Sequence, residues 1–405
     1  MENLKIVVAG HIDHGKSTLI GRLLYETDSL SQRITDEIEK LKQSGAKQEF
    51  AFITDQLKEE QANGITIDTT QVELKTSSRY YRLIDTPGHR EFLKNMITGA
   101  TTAAAAIVVI DISEGLMEQT YQHIYLIAML GIKQVIVVIN KMDQKLYNRI
   151  RFWELSEQIK DHLNKLNMQI TAVIPVSAQY GDNITIQSRR MDWNSSPTLI
   201  KSLDLLSCQN GLGQSPLRFV VQCPFITKSK TTILGKMVSG RVFKNQHITF
   251  GPDHHVTKVL SIEAGGRERT SAQAPESIAL TLDNSNDIYR GQVGFNVCHP
   301  PITTDSLKAN VFSISTEPLK PTDKITILCG TQQSSAKIEE ITRIIDPTSL
   351  KVIATDAERI ADSQVATVKI KLDRPICVDP FDKIAELGRF AIVRNGKIAG
   401  GGIIK

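Results

Sequence analysis

Residues 10–17, Gly-His-Ile-Asp-His-Gly-Lys-Ser, are the segment of this sequence with the clearest chemistry. They fit the phosphate-binding pattern Gly-x-x-x-x-Gly-Lys-Ser through Gly10, Gly15, Lys16 and Ser17. Glycines let consecutive backbone N–H groups point at an anion, and the N-terminus of a following helix adds a positive dipole. Lys16 would then reach the β- and γ-phosphates of a nucleotide, and the Ser17 hydroxyl would bind Mg²⁺. The segment therefore predicts a site for an oligophosphate.

The elements that flank this loop are the ones that the pattern requires. The apolar run at residues 4–9 predicts a strand, and residues 17–25 predict a helix. The residues expected to surround the phosphates are Gly10, His11, Ile12, Asp13, His14, Gly15, Lys16, Ser17 and Thr18.

A second phosphate motif, Ile-Asp-Thr-Pro-Gly-His, occupies residues 84–89 at the end of another apolar run. Asp85 is placed to hold Mg²⁺, through a water molecule, and the Gly88 N–H to bond the γ-phosphate. Because open α/β sheets bind ligands at the carboxyl ends of their parallel strands, we expect this segment to lie beside the first loop.

Two further strand ends carry residues suited to a guanine base. In the segment Asn-Lys-Met-Asp, which contains Asn140 and Lys141, the Asp143 carboxylate can accept both the ring N–H and the exocyclic amine of guanine. Adenine offers neither group in that arrangement, so a buried carboxylate discriminates between the bases. In the segment Val-Ser-Ala, Ser177 and Ala178 are placed to offer a backbone N–H to the guanine oxygen. Each segment alone is equally compatible with a polar turn, whereas the ordered set predicts a guanine nucleotide site.

Composition narrows the class of protein. The 405 residues include 48 Lys and Arg against 44 Asp and Glu, a balance that neither requires nor excludes a nucleic-acid partner. The five cysteines form no Cys-x-x-Cys pair, which argues against a zinc site or a disulfide framework and favours the cytoplasm. The sequence has no pattern of an export signal and no apolar run of the roughly 18 residues that a membrane span needs, so we expect no membrane partner.

The predicted secondary structure changes from alternating strands and helices to strands alone near residue 208. Before it, Val- and Ile-rich runs alternate with helical patterns, which predicts an α/β domain at residues 1–207 with a mostly parallel sheet and helices on both faces. Residues 208–215 are polar and contain glycine, as in a linker. Short strand patterns separated by turn residues then predict two small all-β barrels, at residues 216–299 and 300–405.

With these motifs in this order, the sequence resembles the translation-factor class of GTPases along essentially its whole length. The resemblance implies that GTP, GDP and Mg²⁺ are bound and that GTP is hydrolysed. It implies that Thr66, in Asn-Gly-Ile-Thr-Ile-Asp, binds Mg²⁺ and senses the γ-phosphate, and that His89 orients the attacking water. Ile12 and Ile65 would form an apolar gate in front of His89, and Asp13 matches a position linked to a monovalent cation. The implied catalytic residues are His89, Lys16 and Thr66, and the implied metal ligands are Ser17, Thr66 and Asp85.

Two branches of this class share features with the sequence. Residues 10–17 and 88–99 resemble the aminoacyl-tRNA carriers, such as elongation factor Tu. Residues 279–295, in the first predicted barrel, and segments of the second resemble the GTPase large subunit of bacterial sulfate adenylyltransferase (CysN type). These barrel segments favour the sulfate-activating branch. The departures from its pattern are Lys236, Asn245 and Pro275.

The favoured branch implies a GTPase that couples GTP hydrolysis to the formation of adenosine 5′-phosphosulfate from ATP and sulfate. Its partner would be a small catalytic ATP sulfurylase subunit, in a heterodimer or higher assembly. The alternative is a GTPase that delivers aminoacyl-tRNA to the ribosome, and a third option is a stand-alone regulatory GTPase. Under the tRNA alternative, the basic residues available for phosphate contacts are Lys228, Lys230, Lys236, Arg241 and Lys244. Typical charge usage favours an ordinary solvated face for the same five residues.

Overall fold

The computed structural model describes residues 3–43, 50, 71–76, 78–85, 103–207, 212–226, 231–283 and 287–405. The chain divides into two units, Met1–Cys208 and Gln209–Lys405. The first is an α/β domain and the second contains two β-barrels, so the predicted fold class is confirmed. The predicted boundaries of the three domains and of the linker at 208–215 stay predictions.

The described part of the first unit contains one sheet of six strands. They are β1 Asn3–Gly10, β2 Gln71–Lys75, β3 Tyr80–Asp85, β4 Ala105–Asp111, β5 Gln134–Asn140 and β6 Gln169–Pro175. Their order in the sheet is β2-β3-β1-β4-β5-β6, and all neighbours are parallel except β2, which is antiparallel to β3. Every residue of β4 and β5 is buried, as expected for inner strands that are covered on both faces.

The helices in the described part of this unit lie between or after the strands along the chain. They are α1 Lys16–Glu26, α2 Gln32–Gln43, α3 Glu118–Met129, α4 Arg149–Lys165 and α5 Leu199–Asp204, with short 3-10 turns at Met142–Lys145 and Arg189–Met191. Helix α4 begins after Asn148, whose side chain accepts a hydrogen bond from the Arg151 N–H at 3.0 Å and so caps the first turn. Leu19 and Leu23 of α1 share one apolar core with Ile6 of β1. None of the described helices combines the length and the apolar character that a membrane span requires.

The first barrel of the second unit is built from antiparallel strands. They are β7 Arg218–Ile226, β8 Thr231–Ser239, β9 Arg241–Phe243, β10 His247–Gly251, β11 His255–Ala264, β12 Arg267–Arg269, β13 Ser271–Gln273, β14 Ser277–Leu282 and β15 Val293–Phe295. The sheet runs β10-β15-β7-β8-β14-β11, and pairing of β10 with β11 closes it into a ring. Closure removes the exposed sheet edges that an open sheet would leave.

The second barrel closes in the same way. Its strands are β16 Ile302–Ser313, β17 Ile325–Cys329, β18 Gln332–Ile345, β19 Val352–Thr355, β20 Val365–Val378, β21 Arg389–Arg394 and β22 Lys397–Ile404, with a helical turn α6 Ala385–Gly388. The ring runs β17-β21-β22-β16-β20-β18 and closes through β17 and β18. Each barrel has its own apolar core of alternating inward-facing residues.

A buried ion pair joins the two barrels. The Arg218 guanidinium donates to both carboxylate oxygens of Asp379, at 2.7 and 2.9 Å, and to the His299 carbonyl at 2.8 Å. A second bond runs from the Thr331 hydroxyl to the Val221 carbonyl at 2.8 Å. Because a planar guanidinium and a carboxylate match in two parallel hydrogen bonds, the pair fixes orientation as well as distance.

A buried histidine lies between α3 and α4 in the first unit. The His162 side chain is 6% exposed and its ring meets Tyr121 edge-on, with 4.6 Å between ring centroids. Burial, and then the positive charge of Lys165, lowers the pKa of His162 to about 4. The folded protein therefore keeps this imidazole neutral at pH values where an unfolded chain would protonate it.

We expect stability to decrease in acid because of this residue. Between pH 6.5 and 4 the unfolded chain takes up a proton at His162 that the folded chain does not, so the free energy of unfolding falls as the pH drops through this window. Allowing for solvent screening, the loss is about 1–2 kcal/mol. Thermal unfolding followed by circular dichroism at several pH values should show a shallower acid slope for His162→Leu than for the parent chain. His247→Leu, which replaces an exposed imidazole, is the matched control; equal slopes for the parent and His162→Leu would contradict the assignment.

Candidate nucleotide-binding site

The phosphate-binding loop connects β1 to α1 in the predicted place. Gly15 caps α1 with a left-handed backbone, φ 86°, which favours glycine. A Cβ on Gly15 would lie 2.5 Å from the Asn140 side-chain nitrogen, and a Cβ on Gly10 would lie 2.3 Å from the Val109 carbonyl oxygen. Both glycines of the pattern are therefore required by close neighbours as well as by backbone conformation.

Lys16 folds back over its own loop. Its ammonium donates to the carbonyl oxygens of Gly10, at 3.0 Å, and His11, at 2.8 Å, and the residue is 8% exposed. The lysine at the start of α1 is thus already placed within the loop where phosphates are expected. Its positive charge and the N-terminus of α1 favour an anion at the same point.

The Asn140 side chain joins three separate segments. Its Nδ2 donates to the His14 carbonyl at 3.0 Å, and its Oδ1 accepts the Ala178 N–H at 3.0 Å. The Ser177 hydroxyl in turn donates to the Asp143 carboxylate at 2.5 Å. The Asn-Lys-Met-Asp and Val-Ser-Ala segments therefore lie together beside the phosphate loop, as the motif order predicts.

His14 is buried behind the loop. Its ring nitrogens lie 3.2 Å from the Val109 carbonyl oxygen and 3.0 Å from the Glu114 carboxylate. Burial lowers the pKa of His14, although hydrogen bonds to Val109 and Glu114 oppose that shift. The side chain consequently ties the loop to the end of β4 and the residues that follow it.

Some of the residues predicted to contact the phosphates or Mg²⁺ lie in the described part of the chain. Ser17 and Thr18 lie half-buried in the first turn of α1, and Asp85 is buried at the end of β3, where parallel pairing sets it beside Val8. The side chain of Ile12 is 56% exposed. The roles of four further residues stay predictions, because these residues lie outside the described part of the chain: Thr66, Gly88, His89 and the gate residue Ile65.

Two residues of α1 outside the sequence motifs contact the segment that follows β6, which is predicted to bind the base. Arg22 donates to the Gln179 carbonyl at 3.2 Å and the Tyr180 carbonyl at 3.3 Å. Glu26 accepts the Arg22 Nε–H and the Thr185 hydroxyl, each at 2.5 Å. In the sequence they read as an ordinary i,i+4 helix pair, and only the packing of α1 beside residues 179–185 reveals their second role.

This fold and this set of loops define a phosphate-loop nucleotide-binding domain, followed by two β-barrels. The sequence matches the family described as Elongation factor Tu GTP binding domain over residues 1–248, and the family described as GTP-eEF1A C-terminal domain-like over residues 306–405. The chain therefore belongs to the elongation factor Tu and elongation factor 1-alpha family of GTPases.

Relatives match the chain over nearly its full length. It is 34% identical over 415 residues to Elongation factor 1-alpha of Pyrococcus furiosus, which covers 99% of this chain and 97% of that protein. Elongation factor 1-alpha of Thermococcus kodakarensis is 32% identical with the same coverage. A crystal structure of sup35 complexed with GDP matches 100% of this chain and 93% of its own with a TM-score of 0.47 and 20% identity, a likeness too weak to bear on function.

These relatives correct the expected branch. The prediction of a GTPase subunit of sulfate adenylyltransferase is wrong, since full-length relatives are elongation factors 1-alpha. The barrel segment that favoured sulfate activation, residues 279–295, contains most of β14 and the whole of β15. These residues build two separate barrel strands, with β14 paired to β8 and β15 paired to β7. A pattern that builds barrel strands carries no information about a client enzyme.

Loss of the Arg22 contacts should loosen the base-binding segments without unfolding the domain. In Arg22→Met the methylene part of the side chain is retained, while the bonds to the carbonyls of residues 179 and 180 are lost. We expect amide hydrogen exchange in residues 177–185 to accelerate about tenfold, the equivalent of one hydrogen bond to a charged group. Mass spectrometry of exchanged peptides measures this. Arg82→Met, which removes an exposed pair with Glu73, is the control, and unchanged exchange at residues 177–185 would contradict the bracing role.

Proposed function

We propose that this protein is a GTPase of translation elongation that binds aminoacyl-tRNA and delivers it to the ribosome. The observation that carries the proposal is the extent of the match to elongation factors 1-alpha: it spans 99% of the chain, and so includes both barrels as well as the nucleotide-binding domain. A likeness confined to the first unit would have supported only a shared nucleotide chemistry.

The described loops fit a guanine nucleotide. Lys16 and the loop N–H groups suit the phosphates, and the Asp143 carboxylate, oriented by the Ser177 hydroxyl, suits the base. The Ser17 hydroxyl and the Asp85 carboxylate are hard oxygen donors at adjacent element ends, which is the donor chemistry that Mg²⁺ prefers, and Thr66 would complete the set. When bound, Mg²⁺ would neutralise charge on the β- and γ-phosphates.

Hydrolysis would follow from positioning and charge. Lys16 would neutralise the phosphate oxygens as the γ-phosphoryl group leaves, while Gly88 would donate its N–H to that group and His89 would orient the water that attacks it. Loss of the γ-phosphate would release Thr66 and change the shape presented to a partner. Such a switch acts only if partners bind the GTP and GDP states with different affinity.

The basic residues suggested for tRNA contacts differ in their surroundings. Arg241 is exposed on β9, whereas the Lys244 ammonium pairs with the Glu268 carboxylate at 2.7 Å and Lys236 is half-buried. Lys228 and Lys230 lie outside the described residues. Arg241 is therefore the most available phosphate contact of the described three.

Protection of the aminoacyl ester tests the proposed function. The ester bond of free aminoacyl-tRNA hydrolyses spontaneously, and a carrier that encloses the 3′ end slows that reaction only in its GTP state. Radiolabelled aminoacyl-tRNA should therefore lose its amino acid several-fold more slowly with the protein and GTP than with the protein and GDP. Deacylated tRNA binding and hydrolysis without protein are the controls. GTP hydrolysis with no ester protection would instead support a stand-alone regulatory GTPase.

Base selectivity should change with one substitution. In Asp143→Asn the carboxylate that accepts the guanine amine becomes an amide, whose NH₂ group suits the C2 carbonyl of xanthine. GTP affinity should fall by at least about 100-fold because the base amine loses its acceptor, while affinity for xanthosine triphosphate rises. Competition against a fluorescent nucleotide measures both constants. Asp161→Asn, a change on α4 with the same loss of charge, is the control. An unchanged preference for GTP would contradict the proposal that Asp143 recognises the guanine base.

A further inference from the structure

A carboxylate that the motif analysis did not select lies at the end of β4. Asp111 is 3% exposed, and its Oδ2 lies 2.9 Å from the Lys141 ammonium. Its Oδ1 accepts the Ser113 N–H at 2.6 Å. Each carboxylate oxygen thus has a separate partner, one on its own turn and one on the Asn-Lys-Met-Asp segment.

The sheet fixes this carboxylate beside the motif. Strands β4 and β5 pair in parallel with Asp111 opposite Asn140, and the Ile112 N–H donates to the Asn140 carbonyl at 3.0 Å. Lys141 follows with a left-handed backbone, φ 60°, which is uncommon for a residue other than glycine. The main chain therefore determines that Lys141 leaves the strand next to Asp111.

The ion pair also places the lysine chain against the phosphate loop. The Lys141 Cε lies 3.9 Å from the position that a Cβ on Gly15 would take, so the side chain borders the loop at its helix cap. Its ammonium is held by Asp111 on one side. A lysine side chain left free would sample many rotamers at this point.

The charge state of Asp111 supports a persistent ion pair. Burial by itself would raise the pKa of this carboxyl, but the hydrogen bond and charge of Lys141, together with the Ser113 N–H, hold it below its usual value. The carboxylate is consequently ionised throughout the neutral range, and Lys141 faces a full negative charge.

We propose that Asp111 is a positioning residue for the guanine nucleotide, which holds the Lys141 side chain in place between the phosphate loop and the base-binding segments. The inference rests on the proposed function, because it assumes that a guanine nucleotide occupies these loops. Asp111 itself needs no contact with the nucleotide. Ordering Lys141 in advance removes an entropy cost that binding would otherwise include, so the bound nucleotide is retained longer.

Two substitutions isolate the ion pair. Asp111→Asn keeps an oxygen for the Ser113 N–H but removes the charge that holds the ammonium. Lys141→Met keeps the aliphatic chain and removes the ammonium. We expect each to accelerate the dissociation of a fluorescent GDP analogue about tenfold, the size expected for one hydrogen bond between charged groups. The full chain is used, with stopped-flow fluorescence as the readout and thermal unfolding as the test that each variant folds.

The double variant separates a positioning role from a general loss of stability. If Asp111 acts through Lys141, the combined substitution should dissociate GDP no faster than Lys141→Met alone. Glu73→Gln, which breaks the exposed pair with Arg82 on another part of the sheet, should match the parent chain. Effects that multiply in the double variant, or parent-like dissociation in both Asp111→Asn and Lys141→Met, would overturn the positioning role.

The same experiment distinguishes a failure of the proposed function from a failure of the positioning role. A parent chain that binds no guanine nucleotide would overturn both proposals, whereas a parent that binds GDP tightly and is unaffected by Asp111→Asn would overturn the positioning role alone. If Asp111→Asn does not fold, Lys141→Met decides the matter, because the Lys141 side chain is itself only half-buried and its aliphatic part is kept.

Discussion

The two hydrogen bonds of the Asn140 amide are the interaction on which the nucleotide site depends. A primary amide has both a donor and an acceptor, and burial to 1% exposure requires that both be satisfied. The donor goes to the His14 carbonyl and the acceptor takes the Ala178 N–H. Loops that follow three different strands are thereby held at fixed separation. Neither an aspartate nor a leucine of similar size could make both contacts.

Around this amide the site is surrounded by charges that are paired with one another. Lys141 pairs with Asp111, and Arg22 pairs with Glu26. Buried charges are tolerated only when they are paired and hydrogen-bonded, since an isolated charge in a protein interior is strongly destabilising. The loops are therefore pre-organised before a ligand arrives, which is the condition under which electrostatic stabilisation of phosphoryl transfer is most effective.

In the second unit, the structure is stabilised by the closure of each barrel and by one ion pair between the barrels. Each barrel satisfies its edge strands by pairing them, and the bidentate bond between Arg218 and Asp379 links the two. Closed barrels share an apolar strand pattern whatever they bind, which explains why residues 279–295 misdirected the choice of branch. Partner choice depends on exposed side chains, and strand periodicity contains no information about these.

The sequence by itself determined the nucleotide-site motifs, the α/β-then-barrels architecture and the translation-factor class. The glycines, Lys16, Asn140 and Asp143 are predictive as an ordered set in loops that follow strands, and the apolar pattern predicts the strands directly. Only the tertiary structure decided that Arg22 supports residues 179–185 and that Asp111 holds Lys141. Those contacts join residues far apart in sequence through strand register and helix packing, which a local pattern cannot encode.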